Sequence, residues 1–336
     1  MKKSLFLSLT VALFCVLITH NAFAAEKPLT LKMGHTGPVN SSLDVGLKNI
    51  AKEVQEKTGG SVVIQIYPQG QLGSEEVMLD SAITGTLDIA ITSTPILANI
   101  KPEFNALSLP FLFKDVVDFF DIVTAEKFIG ATSDLMKGKN LVLLGYPNAL
   151  MRGLSNTKRN IRTPADMKGL KIRVMAGPLY TDMFNAMGAT TSTLPFSELY
   201  SALQQGVVDG EDNHIYVMNI MKFMEVEKYH TVLNHTVQCN AFLVNEKVWN
   251  KLSADQRQIF KNALNNLVKV YLDMVKSDTE KAIQAAEKNR VNVINLSSAE
   301  GQAFKNAVQP VYAKYRKAIG DEFYNYVMSQ VESHKK

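Results

Sequence analysis

Between Arg152 and Asn213 the chain gathers side chains that could grip a small anion: two arginines, an asparagine and an aromatic ring, spread over predicted strands and helices. Arg173 stands in Lys171-Ile172-Arg173-Val174-Met175, where a strand turns Ile172 and Val174 to one face and the guanidinium to the other. A guanidinium is a planar fork of donors that holds a carboxylate through two parallel hydrogen bonds, which lysine cannot copy. Spacing alone leaves a surface salt bridge open, since most charged side chains are exposed. Arg152 follows a predicted strand, Leu141 to Tyr146, and is expected nearer the solvent edge; a solvated loop cation is its other reading. Asn213 closes Asp209-Gly210-Glu211-Asp212-Asn213, and its amide can both donate and accept. Asp209-Gly210 reads as turn chemistry. Phe196 opens a predicted helix, where an apolar residue is ordinarily core, and Arg159 and Arg162 lie in a polar stretch assigned to solvent.

Other chemistries find little footing. There is no G-x-S-x-G elbow, H-E-x-x-H, G-x-G-x-x-G or G-x-x-x-x-G-K-[ST] in the chain, so no enzymatic activity is expected, although an exported hydrolase of another pattern stays open. His214, His230 and His235 lack the compact His, Cys or carboxylate spacing of a metal site, and neither metal nor cofactor is expected. Cys239 sits in an apolar run, Cys239 to Val244, as a buried inert thiol, and with Cys15 removed it has no intramolecular partner.

The elements that must position these residues alternate. Leu29–Met33, Val62–Tyr67 and Leu87–Ile91 read as strands, with helices Ser42–Lys57 and Gly73–Thr84 between them, a pattern that builds a parallel sheet covered by helices. Ligands of such sheets sit beyond the carboxyl ends of the strands, which places His35–Ser42, Gln69–Glu75 and Thr92–Pro95 at the mouth. A second αβ region starts with Leu141–Tyr146 and Lys171–Val174; Thr163 caps a short helix led by Pro164, and another runs from Phe196 to Gln205. Gln238–Val244 reads as a returning strand. Ser253-x-x-Gln256 opens a long helix toward Ala286, and Ser297-x-x-Glu300 opens a C-terminal helix reaching about Ile319.

Lys2 and Lys3, an apolar run from Leu5 to Ile18 and Ala22-Phe23-Ala24 form the three parts of a cleavable export signal, with cleavage expected near Ala24-Ala25 and a periplasmic destination. The run is shorter than the ~20 residues of a membrane span. Removing residues 1–24 from the 336 leaves 312, more than one core usually holds, and lowers the formal charge from +4 to +2. That mild charge, without basic runs interleaved with aromatics, argues against nucleic acid. The expected organisation is an α/β, two-lobed periplasmic binding protein fold with a hinge: residues 25–145 as lobe 1, 146–240 mainly as lobe 2, and 241–336 as crossover strand and long C-terminal helices across both.

The segments Met151-Arg152-Gly153-Leu154-Ser155-Asn156, Thr163-Pro164-Ala165-Asp166-Met167-Lys168-Gly169-Leu170-Lys171-Ile172-Arg173-Val174-Met175 and Leu194 through Asn213 resemble the solute-binding subunits of TRAP (tripartite ATP-independent periplasmic) transporters, the DctP family of dicarboxylate- and sialic-acid-binding receptors. The resemblance covers nearly all of the mature chain. It implies that Arg173 makes the main ion pair with a ligand carboxylate, that Arg152 faces the ligand too, that Asn213 hydrogen-bonds the carboxylate or a neighbouring hydroxyl, and that Phe196 packs on the ligand body. His35, Thr36, Asn40, Glu75, Ser93 and Thr94 are then the first-lobe residues that set selectivity. Ser93 stands where sialic-acid receptors carry an acid, which argues against sialate. The implied partners are a small organic acid and the ion-gradient-driven membrane permease, with the receptor itself a monomer. A receptor for an ABC importer or a sensor kinase is the alternative, and sugar acid, dicarboxylate, 2-oxo acid and phosphorylated polyol all stay open as ligands.

Overall fold

The computed structural model describes residues 27–334, so the export signal expected over residues 1–24 lies outside the described residues. The strands are β1 (Leu29–Gly34), β2 (Val62–Tyr67), β3 (Ile89–Ser93), β4 (Leu141–Met151), β5 (Leu154–Asn156), β6 (Lys171–Val174), β7 (Thr190–Thr193), β8 (Gly210–Glu211), β9 (Tyr229–Val232), β10 (Val237–Asn245) and β11 (Asn292–Asn295). They form two sheets. The first runs β2-β1-β3-β10-β4 and the second β11-β9-β5-β8-β6-β7. In the first, β1 lies parallel to β2 and β3, as βαβ crossovers require, while β10 is antiparallel to β3 and β4.

Local signals set the helices that cover the first sheet. Ser41 caps Ser42–Lys57 by accepting from the Asp44 amide, and Ser74 caps Glu75–Thr84 by accepting from the Val77 amide. Leu47, Ile50 and Val54 bury one face of the first helix. A full capping box, Ser253 with Gln256, starts Ala254–Lys288. Its 35 residues span about 52 Å at 1.5 Å per residue.

The two sheets are joined at three places. β4 leaves the first sheet at Met151 and, through Arg152 and Gly153, becomes β5 of the second; β9 returns through Leu233–Thr236 to β10. The two connections are bonded to each other, Arg152 N–H to Thr236 C=O at 2.9 Å and His235 N–H to Arg152 C=O at 3.3 Å. Gly153 permits this close crossing, since a Cβ there would lie 2.6 Å from the His230 ring and 2.9 Å from Thr231 C=O. The long helix is the third link, packing on Ser42–Lys57 and β4 at one end and on Ile215–Ile220 and β11 at the other. Short connections lying side by side in this way are the geometry of a hinge.

Several elements differ from their sequence reading. β4 continues past Tyr146 because its register on β10 shifts between Gly145 and Asn148, so Tyr146 and Pro147 fall at a bulge on an edge strand, where proline's missing N–H costs no ladder bond. The first sheet thus keeps the chain to Met151 and regains it at Val237. β3 starts at Ile89 and ends at Ser93, since Asn240 to Val244 pair along that whole length. The C-terminal helix is broken: Ser298–Ala307 gives way to Gln309–Ile319 at Pro310, which cannot donate to the preceding turn, and Asp321–His334 follows after Gly320. Gly210 is a strand residue rather than half of a turn, pressed so closely on β5 that a Cβ would meet Ser155 C=O at 2.2 Å.

Candidate functional site

Between the lobes lies a cleft of about 390 Å³. The first lobe supplies Thr36–Pro38, Gln69, Gly70 and Gly73–Glu76, the crossing segments supply Asn148, Leu150, Arg152, Gln238 and Asn240, and the second lobe supplies Arg173, Leu194–Ser197, Asn213 and Tyr216. The loops of the first wall are pinned together, Gln69 N–H to Gly37 C=O and Gly70 N–H to His35 C=O, each at 3.0 Å. The lobes also touch across the cleft's flanks. Tyr216 Oη accepts the Ser42 amide at 2.9 Å, and Asn99 Nδ2 donates to Ala176 C=O at 3.1 Å.

The two arginines differ in their partners. Arg152 is 1% exposed, which corrects the expectation that it lies toward solvent. Its Nε donates to Asp212 Oδ2 at 2.7 Å, its Nη1 to Gln238 Oε1 at 2.7 Å and its Nη2 to Asp212 C=O, because the extended β4 carries it into the hinge rather than onto a loop. Burial alone would lower its pKa, but Asp212 raises it, and burial would raise Asp212's, but Arg152 pulls it below the usual carboxylate range. Arg173, 4% exposed, has no carboxylate within ion-pair distance among the described residues. Its Nε and Nη2 both donate to Leu194 C=O, at 3.1 and 2.8 Å, which fixes the fork and leaves Nη1 without a protein acceptor. Phe196 lies under the guanidinium, ring centroid to Cζ 5.9 Å. Burial lowers the Arg173 pKa, Asp212 opposes the fall, and Arg152 adds to it.

Asn213 is buried beside Glu211, to whose Oε2 its amide donates. Burial first, and then Asp212, push Glu211 up to about 7, and Glu227, buried near it, also lies well above the usual range through burial and Glu211.

The structure brings Arg152, Arg173, Asn213, Phe196, Thr36 and Glu75 together around the cleft. Glu75 accepts from Thr36 Oγ1 at 2.9 Å, from the Ser93 amide at 2.9 Å and from the Ser93 hydroxyl. The other four candidates stand off the cleft wall. His35 is fully buried with Nε2 3.3 Å from Asp44 Oδ1. Ser93 ends a strand and Thr94 opens a short helix, neither on a loop, both fully buried, and Thr94 Oγ1 lies 3.4 Å from Ser108 Oγ and 3.5 Å from Cys239 Sγ. Asn40 is exposed in a left-handed turn, φ 63°. Burial pushes the Cys239 thiol up to about 12.

The histidines have separate partners: His214 Nδ1 accepts the Tyr216 amide, His230 Nδ1 lies 2.9 Å from Ser155 Oγ, and His235 Nε2 lies 3.3 Å from Asp212. Sequence reasoning missed Asn148, Gln238 and Asn240, all on the cleft wall. Their signal is the two-residue period, Asn148-x-Leu150 on β4 running on to Arg152 just past its end and Gln238-x-Asn240 on β10, which places each set on one face.

Two α/β lobes joined by short crossings, with a buried cation facing the cleft between them, define a hinged ligand receptor. The chain belongs to the DctP family, bacterial extracellular solute-binding protein family 7, whose pattern matches residues 33–318. A solute-binding protein of Verminephrobacter eiseniae is 31% identical over 300 residues, 88% of each chain. A TRAP periplasmic solute-binding protein from a Polaromonas species, solved with D-erythronate, superposes with TM-score 0.84 at 30% identity and covers 89% of this chain and 98% of that one. A sugar-acid-binding protein of Advenella mimigardefordensis in complex with galactonate superposes with TM-score 0.86 at 26% identity, over 91% and 99%. All three relatives are described as binding proteins, and the Polaromonas protein as one of TRAP transport. Among the described residues, no helix is long and apolar enough to cross a membrane.

Proposed function

We propose that this chain is the periplasmic receptor of a TRAP transporter: it binds one small organic acid anion between its lobes, holds the carboxylate on Arg173 with Asn213 beside it, and delivers it to a membrane permease without catalysis. The observation that carries this reading is Arg173. A guanidinium buried to 4% exposure without a carboxylate partner is costly unless an anion completes it, and the unengaged Nη1 on the cleft wall is where that anion would be completed. Arg152 and Asp212 neutralise each other and hold the hinge, so Arg152 chiefly positions Gln238 and the cleft floor. Phe196 offers a flat apolar face to the ligand body. The sugar acids bound by the Polaromonas and Advenella relatives support the ligand class. Export by a cleaved signal at residues 1–24 and a monomeric receptor complete the proposal.

Closure supplies the selectivity of delivery. A ligand touching both lobes favours the state in which both contacts exist, and its differential affinity shifts the hinge. Mass spectrometry of small molecules released by denaturing the purified chain, checked by calorimetric titration of what is found, tests the reading. Recovery of an intact organic acid that rebinds one to one is expected; turnover of that acid, or binding only of neutral solutes, would overturn it.

A further inference from the structure

Given the carboxylate clamp proposed above, we infer that Asn148 and Asn240 read hydroxyl groups and commit the cleft to polyhydroxy monocarboxylates, excluding dicarboxylates. The two asparagines are direct partners across β4 and β10. They line the cleft, are 4% and 2% exposed, and the Oδ1 of each has no hydrogen-bond partner. An unpartnered buried amide oxygen is a costly group that a ligand donor can satisfy. A hydroxyl both donates and accepts, so it satisfies a carboxamide in either orientation, whereas a carboxylate only accepts.

Charge points the same way. Arg152 and Arg173 are the only cations among the cleft-lining residues, and Arg152 is already matched by Asp212. One carboxylate therefore exhausts the free positive charge. Beside other neutral polar groups and Glu76, the rest of the polar wall includes the two carboxamides and Glu75, whose carboxylate is bonded only to the neutral donors of Thr36 and Ser93 and has no cation in ion-pair distance among the described residues. A second ligand carboxylate would face an uncompensated anion in a closed cleft, a repulsion that acts as discrimination. Polyol hydroxyls instead donate to the asparagine and glutamate oxygens, and a site built to hydrogen-bond hydroxyls rejects analogues lacking them.

Calorimetry on the wild-type chain lacking residues 1–24, with D-erythronate, D-gluconate, succinate and butyrate as probes, tests this. The aldonates should bind at least about 100-fold more tightly than succinate or butyrate. Asn148→Ala and Asn240→Ala should each weaken aldonate binding about tenfold or more and shrink the aldonate-to-succinate ratio. Where either variant melts early, Asn→Ser at the same position, which keeps a hydroxyl, should recover part of that ratio. Succinate binding as tightly as the aldonates, or an unchanged ratio in the asparagine variants, overturns the inference while leaving the receptor reading intact. Failure of every acid to bind would instead remove the clamp beneath both.

Discussion

Replacing Arg173 by lysine separates the charge of the clamp from its geometry. Two nitrogens of Arg173 hold Leu194 C=O, at 3.1 and 2.8 Å, and Nη1 with the second N–H of Nη2 is left for the ligand. A lysine head that keeps the Leu194 bond approaches the carboxylate as a point charge, without the second parallel bond and without the orientation fixed by Phe196. Loss of one charge-assisted hydrogen bond costs about 1.5–3 kcal/mol, and the misplaced charge adds to that, so the expected penalty is about 2–4 kcal/mol. Converted at 1.4 kcal/mol per decade, the dissociation constant for an acid ligand should rise roughly 30- to 700-fold. Isothermal titration calorimetry of wild type and Arg173→Lys with the same aldonate reads this directly, with thermal melts of both unliganded chains as the control for folding. Affinity within about threefold of wild type, in a variant that melts normally, would refute the assignment of Arg173 as anchor.

Asp212→Asn should destabilise the chain by about 3–5 kcal/mol in urea unfolding, because it strands the buried Arg152 charge; a loss under about 1 kcal/mol would mean the pair is not what holds the hinge. Glu211 has its folded pKa raised from 4.5 to about 7 by burial and Asp212, so its contribution to stability is fully present below about pH 4.5 and is lost as pH rises through 7, on the order of 3 kcal/mol in total. Glu211→Gln should flatten the fall in unfolding free energy between pH 5 and 7.5, and an unchanged slope counts against this protonation. Tyr216→Phe removes the acceptor of the Ser42 amide between the lobes, so ligand affinity should drop by about 0.5–1.5 kcal/mol and the unliganded radius of gyration by solution scattering should rise; identical scattering and affinity would show that this bond does not hold the lobes together.

Much of this arrangement was legible in the chain. The Lys171–Val174 strand fixed the side of Arg173 by its two-residue period, and the capping serines at 253 and 297 marked helix starts that the structure shows. What could not be read depends on contacts between distant segments. Nothing local to Arg152 announces that Asp212 will close on it, so its burial followed only from the fold. The sequence reading of this strand stops at Tyr146 because the bulge that carries it past Pro147 is set by the register on β10, and with the strand cut short the row Asn148, Leu150, Arg152 went unseen. Ser93 and Thr94 read as loop residues because pairing with Asn240, far along the chain, extends β3 to its last residue.

The central claim is that the cleft is built around one carboxylate on Arg173, and the most direct measurement compares an aldonate with its alditol, gluconate against glucitol, by calorimetry on wild type and Arg173→Met. The two ligands carry similar hydroxyls and differ in the charged group. The account predicts that wild type binds gluconate at least about 100-fold more tightly than glucitol and that Arg173→Met, still folded, loses most of that difference. Equal affinity of wild type for the two, or a preference for gluconate that survives in Arg173→Met, would contradict it.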